Sequence, residues 1–176
     1  VANHMNDISK QHPKLVVDTL VRWKKEGKQE PGEMDWIISH SLRTLVKRGD
    51  SPALELLGYS SKPSIEISKF KIAEQSKTVT PGEALEFSFK LKAKESGRLM
   101  VDYEIDFQKA NGKTASKVYK LKKLTAGKGE TYTLEKRHYF PENATTITFY
   151  PGKHKVTLQI NGQKYGSQSF NLTKVE

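Results

Sequence analysis

The chain has 176 residues, 35% of them hydrophobic, 9% aromatic and 28% charged, which allows one ordinary domain or two small ones and excludes a disordered chain. No apolar run approaches the ~18 residues of a membrane span, Val1 to Asp7 lack a signal peptide's pattern, and the absence of cysteine excludes disulfides, a thiol nucleophile and thiolate metal sites while favouring the cytoplasm. Thirty Lys plus Arg against twenty Asp plus Glu give a net charge of +10, a field that favours polyanions, nucleic acid first and anionic membrane second.

Through about Lys62 the apolar residues recur at helical spacing. Pro13 stands at a helix start and Gly27 at its end, and Ser51-Pro52 reads as a cap plus first-turn proline before Ala53 to Gly58. Sliding the sequence by 37 places sets Val1 on Ile38, Met5 on Leu42, Ile8 on Leu45 and Lys10 on Lys47, and a shift of 39 sets Pro13 on Pro52 and Leu15 on Leu54. A period near 40 with two helices per unit predicts a HEAT-like α-solenoid. Because Val1 enters directly into the pattern, the expectation is a C-terminal fragment whose earlier repeats are absent.

From Pro63 onward apolar and polar residues alternate. Strands are expected at Ser64 to Ile72, Leu85 to Leu91, Leu99 to Phe107, Lys117 to Leu121, Glu130 to Glu135, His154 to Ile160 and Tyr165 to Leu172, with Asn111-Gly112 and Asn161-Gly162 at tight hairpins. This count and spacing predict an immunoglobulin-like sandwich, without the Cys and Trp markers of antibody domains. The expected fold is therefore multidomain, α plus all-β: HEAT-like α-solenoid repeats over residues 1–62, followed by an immunoglobulin-like antiparallel β-sandwich over residues 63–176. The first part has ten basic and eight acidic groups, so most of the positive charge lies in the second.

At 100° per residue the first helix puts Val1, Met5 and Ile8 inward and Asn3, Asn6, Asp7 and Lys10 outward. The later repeat puts Ile38, Leu42 and Leu45 inward and Trp36, His40, Arg43 and Lys47 outward, where an exposed Trp is costly unless something covers it. Both stripes fit the solvated faces of amphipathic helices. They also fit one concave groove, with Arg43 and Lys47 on phosphates, Asn3 and Asn6 hydrogen-bonding, and Asp7 as the sole carboxylate.

The stretches Val1-Ala-Asn-His-Met-Asn-Asp-Ile-Ser-Lys-Gln-His-Pro13, His40-Ser-Leu-Arg-Thr-Leu-Val-Lys-Arg-Gly49 and Ala53-Leu-Glu-Leu-Leu-Gly-Tyr59 resemble the closing repeats of the bacterial DNA alkylation repair glycosylases, in particular the AlkC type related to AlkD. The resemblance implies excision of N-alkylated purines such as 3-methyladenine from duplex DNA by a monomer, without a metal or small-molecule cofactor and without swinging the base fully out of the stack. It gives Asp7 the role of stabilising the developing oxocarbenium sugar and orienting a water. It places Asn3 and Asn6 beside Asp7, and His40, Arg43 and Lys47 on the DNA backbone. The Arg and Ser that usually precede the Val-Ala-Asn run are absent, as are the upstream repeats, so the chain by itself is expected to be inactive.

In the strand-rich part Lys109, Lys113, Lys117, Lys120, Lys122, Lys123 and Lys128 form a run with no acid between residues 108 and 129. Such a run fits a phosphate clamp shared with Arg43 and Lys47, with Lys109, Lys113, Lys117, Lys120 and Lys122 as the contacts. It equally fits the wet face of a guarded edge strand. Lys136-Arg137-His138 is a second, smaller basic spot. Gly127-Lys128-Gly129 lacks the spacing of a nucleotide loop, and the histidines form no ligand pair, so no metal site is expected. The competing reading is a non-catalytic immunoglobulin-like module that docks a protein or another acidic partner.

Overall fold

The computed structural model describes residues 1–174. Five helices come first: α1 (Ala2–Ser9), α2 (Pro13–Glu26), α3 (Pro31–Ser41), α4 (Arg43–Arg48) and α5 (Ser51–Leu56). Pro13 opens α2, which stops where Gly27 turns left-handed (φ 63°) and donates its N–H to Trp23 O. Asp50 caps α5, its Oδ1 accepting from Ala53 N at 2.9 Å, so Ser51 and Pro52 both belong to the first turn.

The expected HEAT-like α-solenoid is not formed. Stacked helix pairs need helices of several turns to bury one face on each neighbour, whereas α4 and α5 have six residues each and α3 breaks into α4 at Leu42 (φ −97°, ψ 1°). Val16, Leu20, Ile38, Leu42, Leu45 and Leu54 instead close around one small core, which also takes Met100 from the strand-rich part. The self-similar segments Val1–Lys10 and Ile38–Lys47 pack α1 against α3 and α4 within that single cluster and do not build successive layers. The expected α plus all-β division is thus replaced by a mixed helix-and-sheet structure with a shared seam.

The strands are β1 (Ile65–Ile72), β2 (Thr78–Val79), β3 (Ala84–Ala93), β4 (Gly97–Gln108), β5 (Thr114–Ala126), β6 (Thr131–Tyr139), β7 (Gly152–Ile160) and β8 (Gln163–Leu172). They form a three-stranded sheet in the order β1-β3-β6 and a five-stranded sheet in the order β2-β8-β7-β4-β5, antiparallel throughout except where β2 runs parallel to β8. Leu85, Phe87, Phe89 and Leu91 of β3 face Leu99, Val101, Tyr103 and Ile105 of β4 across the main core. The two-residue period leaves Met100, Asp102, Glu104 and Asp106 on the outer face of β4. The helices cover the end of that face nearest Met100.

The seam is made by named polar groups. Asn161 and Gly162, both at positive φ (47° and 76°), form the two-residue turn between β7 and β8. The buried Asn161 Nδ2 donates to Ser60 O (2.9 Å) and Arg98 O (3.2 Å), and its Oδ1 accepts from Met100 N (2.7 Å). Gln159 Nε2 donates to Lys47 O at 3.0 Å. Arg98 donates to Leu57 O (2.7 Å) and to the Tyr59 hydroxyl (3.1 Å), its guanidinium lying 4.4 Å from the Tyr59 ring centre. These contacts satisfy buried polar groups from both sides and fix α4 and α5 on the sheet. Among the described residues no helix is long and apolar enough to cross a membrane.

Candidate nucleic-acid interface

The helical cluster brings Asn3, Asp7 and Arg43 to one surface. Arg43 Nη1 donates to Asn3 Oδ1 at 2.9 Å, joining α1 to α4. Asp7 is exposed and pairs with Lys10 Nζ at 2.8 Å. That hydrogen bond and charge hold the Asp7 carboxyl below its ordinary range, with Arg43 and His4 adding smaller attractions, so it stays ionised at neutral pH. Lys47 lies one turn beyond Arg43 on α4.

Asn6 is placed differently from its neighbours on the sequence stripe. It is 2% exposed, and its Oδ1 accepts from Thr44 N at 3.1 Å, satisfying an otherwise orphan donor in the first turn of α4. His40 lies on α3, its ring stacked on Trp36 with centroids 4.0 Å apart and its Nδ1–H donating to Trp36 O at 2.9 Å. This stack covers one face of a Trp that is otherwise 56% exposed.

A cleft of about 940 Å³ separates α3, α4 and α5 from β4 and β5, and Arg43, Lys47, Lys120, Lys122 and Lys123 all line it. The lysine run is thereby divided. Lys109 and Lys117 line a second hollow beside Phe107 and Tyr150, and Lys113 sits exposed in the connection between β4 and β5. Lys117 Nζ lies 5.3 Å from the Tyr119 ring centre. In the Lys136-Arg137-His138 spot, Arg137 is paired with Glu86 at 3.2 Å. His138 accepts from the Tyr103 hydroxyl at 2.7 Å, and burial, with the charges of Lys136 and Lys117, pushes its imidazole down to about 4. It is therefore neutral at neutral pH and adds no charge to that spot.

Asp102 lines the cleft among its lysines. Only 4% exposed, it faces Lys120 and Lys123 of β5 and Lys47 of α4 through space, and burial raises its carboxyl to about 6 despite their attraction. Nothing in the sequence separates Asp102 from Glu104 and Asp106, because all three occupy outward positions of one strand and the cover over Asp102 comes from distant helices. Arg98 and Gln159, and the seam bonds that Asn161 makes beyond its turn, escaped the sequence reading for the same reason. Among the described residues no group of three or more His, Asp or Glu side chains is placed to hold a metal ion.

Two packed, mostly antiparallel sheets fastened to a helical cluster, with a basic cleft along the join, define the class as an immunoglobulin-like domain carrying helices. Residues 66–174 match the family described as "Uncharacterised protein YhaZ, C-terminal Ig-like domain", and the chain belongs to that family. It is 37% identical over 172 residues to the uncharacterized protein YhaZ of Bacillus subtilis (strain 168), covering 98% of this chain and 46% of that protein. Among solved structures it is similar to the Pseudomonas fluorescens alkylpurine DNA glycosylase AlkC bound to DNA containing an abasic site analog, with a TM-score of 0.87, 35% identity and coverage of 98% of this chain and 46% of that one. The chain thus spans about half the length of these relatives. A β-glucosidase from Listeria innocua in complex with gluconolactone shares the fold alone, with a TM-score of 0.51 and 15% identity over 65% of this chain and 16% of that one.

Proposed function

We propose that this chain works within a cytoplasmic DNA repair glycosylase that excises N-alkylated purines such as 3-methyladenine, with residues 1–62 and the sandwich of residues 63–176 gripping the duplex together. The observation that carries the reading is the likeness to AlkC over nearly the whole chain, and the cleft in which cations of α4 and β5 converge supports it. Arg43, Lys47, Lys120 and Lys122 contact backbone phosphates along that cleft, which gives sequence-independent, salt-sensitive affinity. His40 and Asn3 extend the contact on the helical side, and Lys109, Lys113 and Lys117 extend it around the β4–β5 connection. Asn6 acts from beneath, by holding α4 in place.

Asp7 is the proposed catalytic residue. An alkylated purine carries a positive charge and leaves as a neutral base when its bond to C1′ breaks, so the electron deficit passes to the sugar. A fixed anion beside that sugar stabilises the oxocarbenium ion and orients the water that attacks it, work that requires neither metal nor cofactor. The exposure and ionisation of Asp7 support this role. In the whole glycosylase, Asp7→Asn should abolish release of 3-methyladenine while leaving duplex affinity within ~2-fold of the parent. Unchanged excision removes Asp7 from the mechanism.

A further inference from the structure

The outer face of β4 carries three acids at alternate positions, and two of them are matched. Glu104 is paired with Lys164 Nζ at 2.8 Å, and Asp106 with Lys155 Nζ at 3.1 Å and with the Ser116 hydroxyl at 2.5 Å. Asp102 is the most deeply buried of the three, yet among the described residues its carboxylate makes no hydrogen bond or ion pair, its lysine neighbours acting only at a distance. Holding a carboxylate largely out of water without a partner, at the wall of a cleft, disfavours its ionised form. A structural acid here would be expected to draw in Lys120, its direct cross-strand partner, as Glu104 draws in Lys164.

The groups around it show what the arrangement favours. Lys47 faces Asp102 from α4, Lys120 and Lys123 face it from β5, and the uncharged Gln159, its partner on β7, turns its amide to Lys47 O. Glu104 is the next acid on β4 and is already neutralised by Lys164. Arg43, Lys122, Arg98 and Lys24 also line the cleft, Arg98 held by Leu57 O and Lys24 facing Asp35 at 3.8 Å, and Glu55 lies with Asp35 on the helical side. A backbone phosphate drawn in by Lys47 and Lys120 would meet Asp102 as the nearest fixed negative charge. Two anions brought together in a partly dry cleft repel, and one proton shared between carboxyl and phosphate oxygen turns the repulsion into a hydrogen bond.

We propose that the cleft between α4 and β5 seats a phosphodiester of the DNA backbone, and that Asp102 takes up a proton when it does so. The inference rests on the duplex-binding reading above and adds a linkage that reading does not contain. Binding of anion and proton are then reciprocal: acid tightens the grip on DNA, and DNA raises the affinity of Asp102 for its proton. The position of the Asp102 carboxyl in the free protein, near 6, puts this exchange within reach of ordinary buffers.

The test is binding of this chain to a short undamaged duplex at constant ionic strength between about pH 7.5 and about pH 5.5, beside Asp102→Asn. The parent should tighten by roughly tenfold more than the variant over that range, the variant retaining only whatever gain the two proteins share. At about pH 7.5 the variant should bind more tightly than the parent. In parallel, the carboxyl resonance of Asp102, followed by NMR with and without duplex, should shift its midpoint upward by about one unit or more. Parallel pH profiles for the two proteins, or a midpoint that DNA does not move, would overturn the proton linkage and leave the duplex reading standing. Absence of duplex binding at every pH would sink both.

Discussion

A Cβ placed on Gly162 would stand 2.4 Å from the Cα of Gly49, so the turn after α4 and the turn between β7 and β8 meet backbone against backbone. Both residues have φ 76°, a conformation that side chains resist. Gly162→Ala therefore carries two penalties and should lower stability by about 2 to 4 kcal/mol in chemical denaturation. Gly129→Ala isolates one of them, since Gly129 also has positive φ (80°) but no atom within 4 Å of the added carbon, and it should cost only about 1 kcal/mol. Equal losses would show that the contact between the two turns contributes nothing.

Asp102 should make the fold more stable in mild acid than at neutral pH. Its carboxyl is raised from 3.8 to about 6 in the folded chain, so the folded state binds the proton more tightly. Its contribution is fully present below the unfolded value and is lost as pH rises through about 6. Asp102→Asn cannot ionise and should gain about 2 to 3 kcal/mol over the parent at about pH 7.5, a difference that shrinks below about 1 kcal/mol near pH 4.5. Urea unfolding of both proteins at the two pH values measures this, and a gain that does not depend on pH would show that Asp102 is not neutral in the acid form.

The two halves of the lysine run should differ in their effect on duplex binding. Lys120 and Lys122 line the same cleft as Arg43 and Lys47, whereas Lys109 and Lys117 line a separate hollow. Reversing Lys120 and Lys122 to Glu should weaken binding by about 100-fold at low salt and flatten the salt dependence, and reversing Lys109 and Lys117 should cost about tenfold or less. Fluorescence anisotropy across a salt series reads both quantities. Equal losses from the two pairs would make the whole run one diffuse field and remove the special role of the cleft.

The alternating strands are legible because a period of two needs only local sequence: Leu85 to Leu91 and Leu99 to Phe107 each expose their inner face directly. Asn161-Gly162 is legible as a turn for the same local reason, but its second task, carrying Ser60 and Arg98 on the Asn161 amide, depends on residues far away in the chain. The helical reading goes astray at Leu42, where no Gly or Pro signals the break between α3 and α4. A 37-residue echo in the sequence records similar helix faces, and helix length decides whether those faces stack into a solenoid or fold onto one core. The cleft is the least legible feature, because its two walls are brought together by a seam between residues about 100 and 110 positions apart.

Asn6 and Asn3 share a stripe in the sequence and have different work in the structure, which makes them a test of how far that stripe serves DNA. Asn6→Ala removes the acceptor from the half-buried Thr44 N–H and should lower stability by about 1 kcal/mol, the cost of leaving a partly buried donor unmet. Asn3→Ala breaks only an exposed bond to Arg43 and should change stability by less than about 0.5 kcal/mol. For duplex binding the order should reverse: Asn3→Ala frees Arg43 from its anchor and weakens binding by a few-fold, roughly, while Asn6→Ala, measured well below its melting temperature, binds close to the parent. If Asn6→Ala instead loses affinity with its stability intact, its amide nitrogen reaches the DNA and the residue joins the contact surface; loss of stability with affinity preserved assigns it to the joint between α1 and α4.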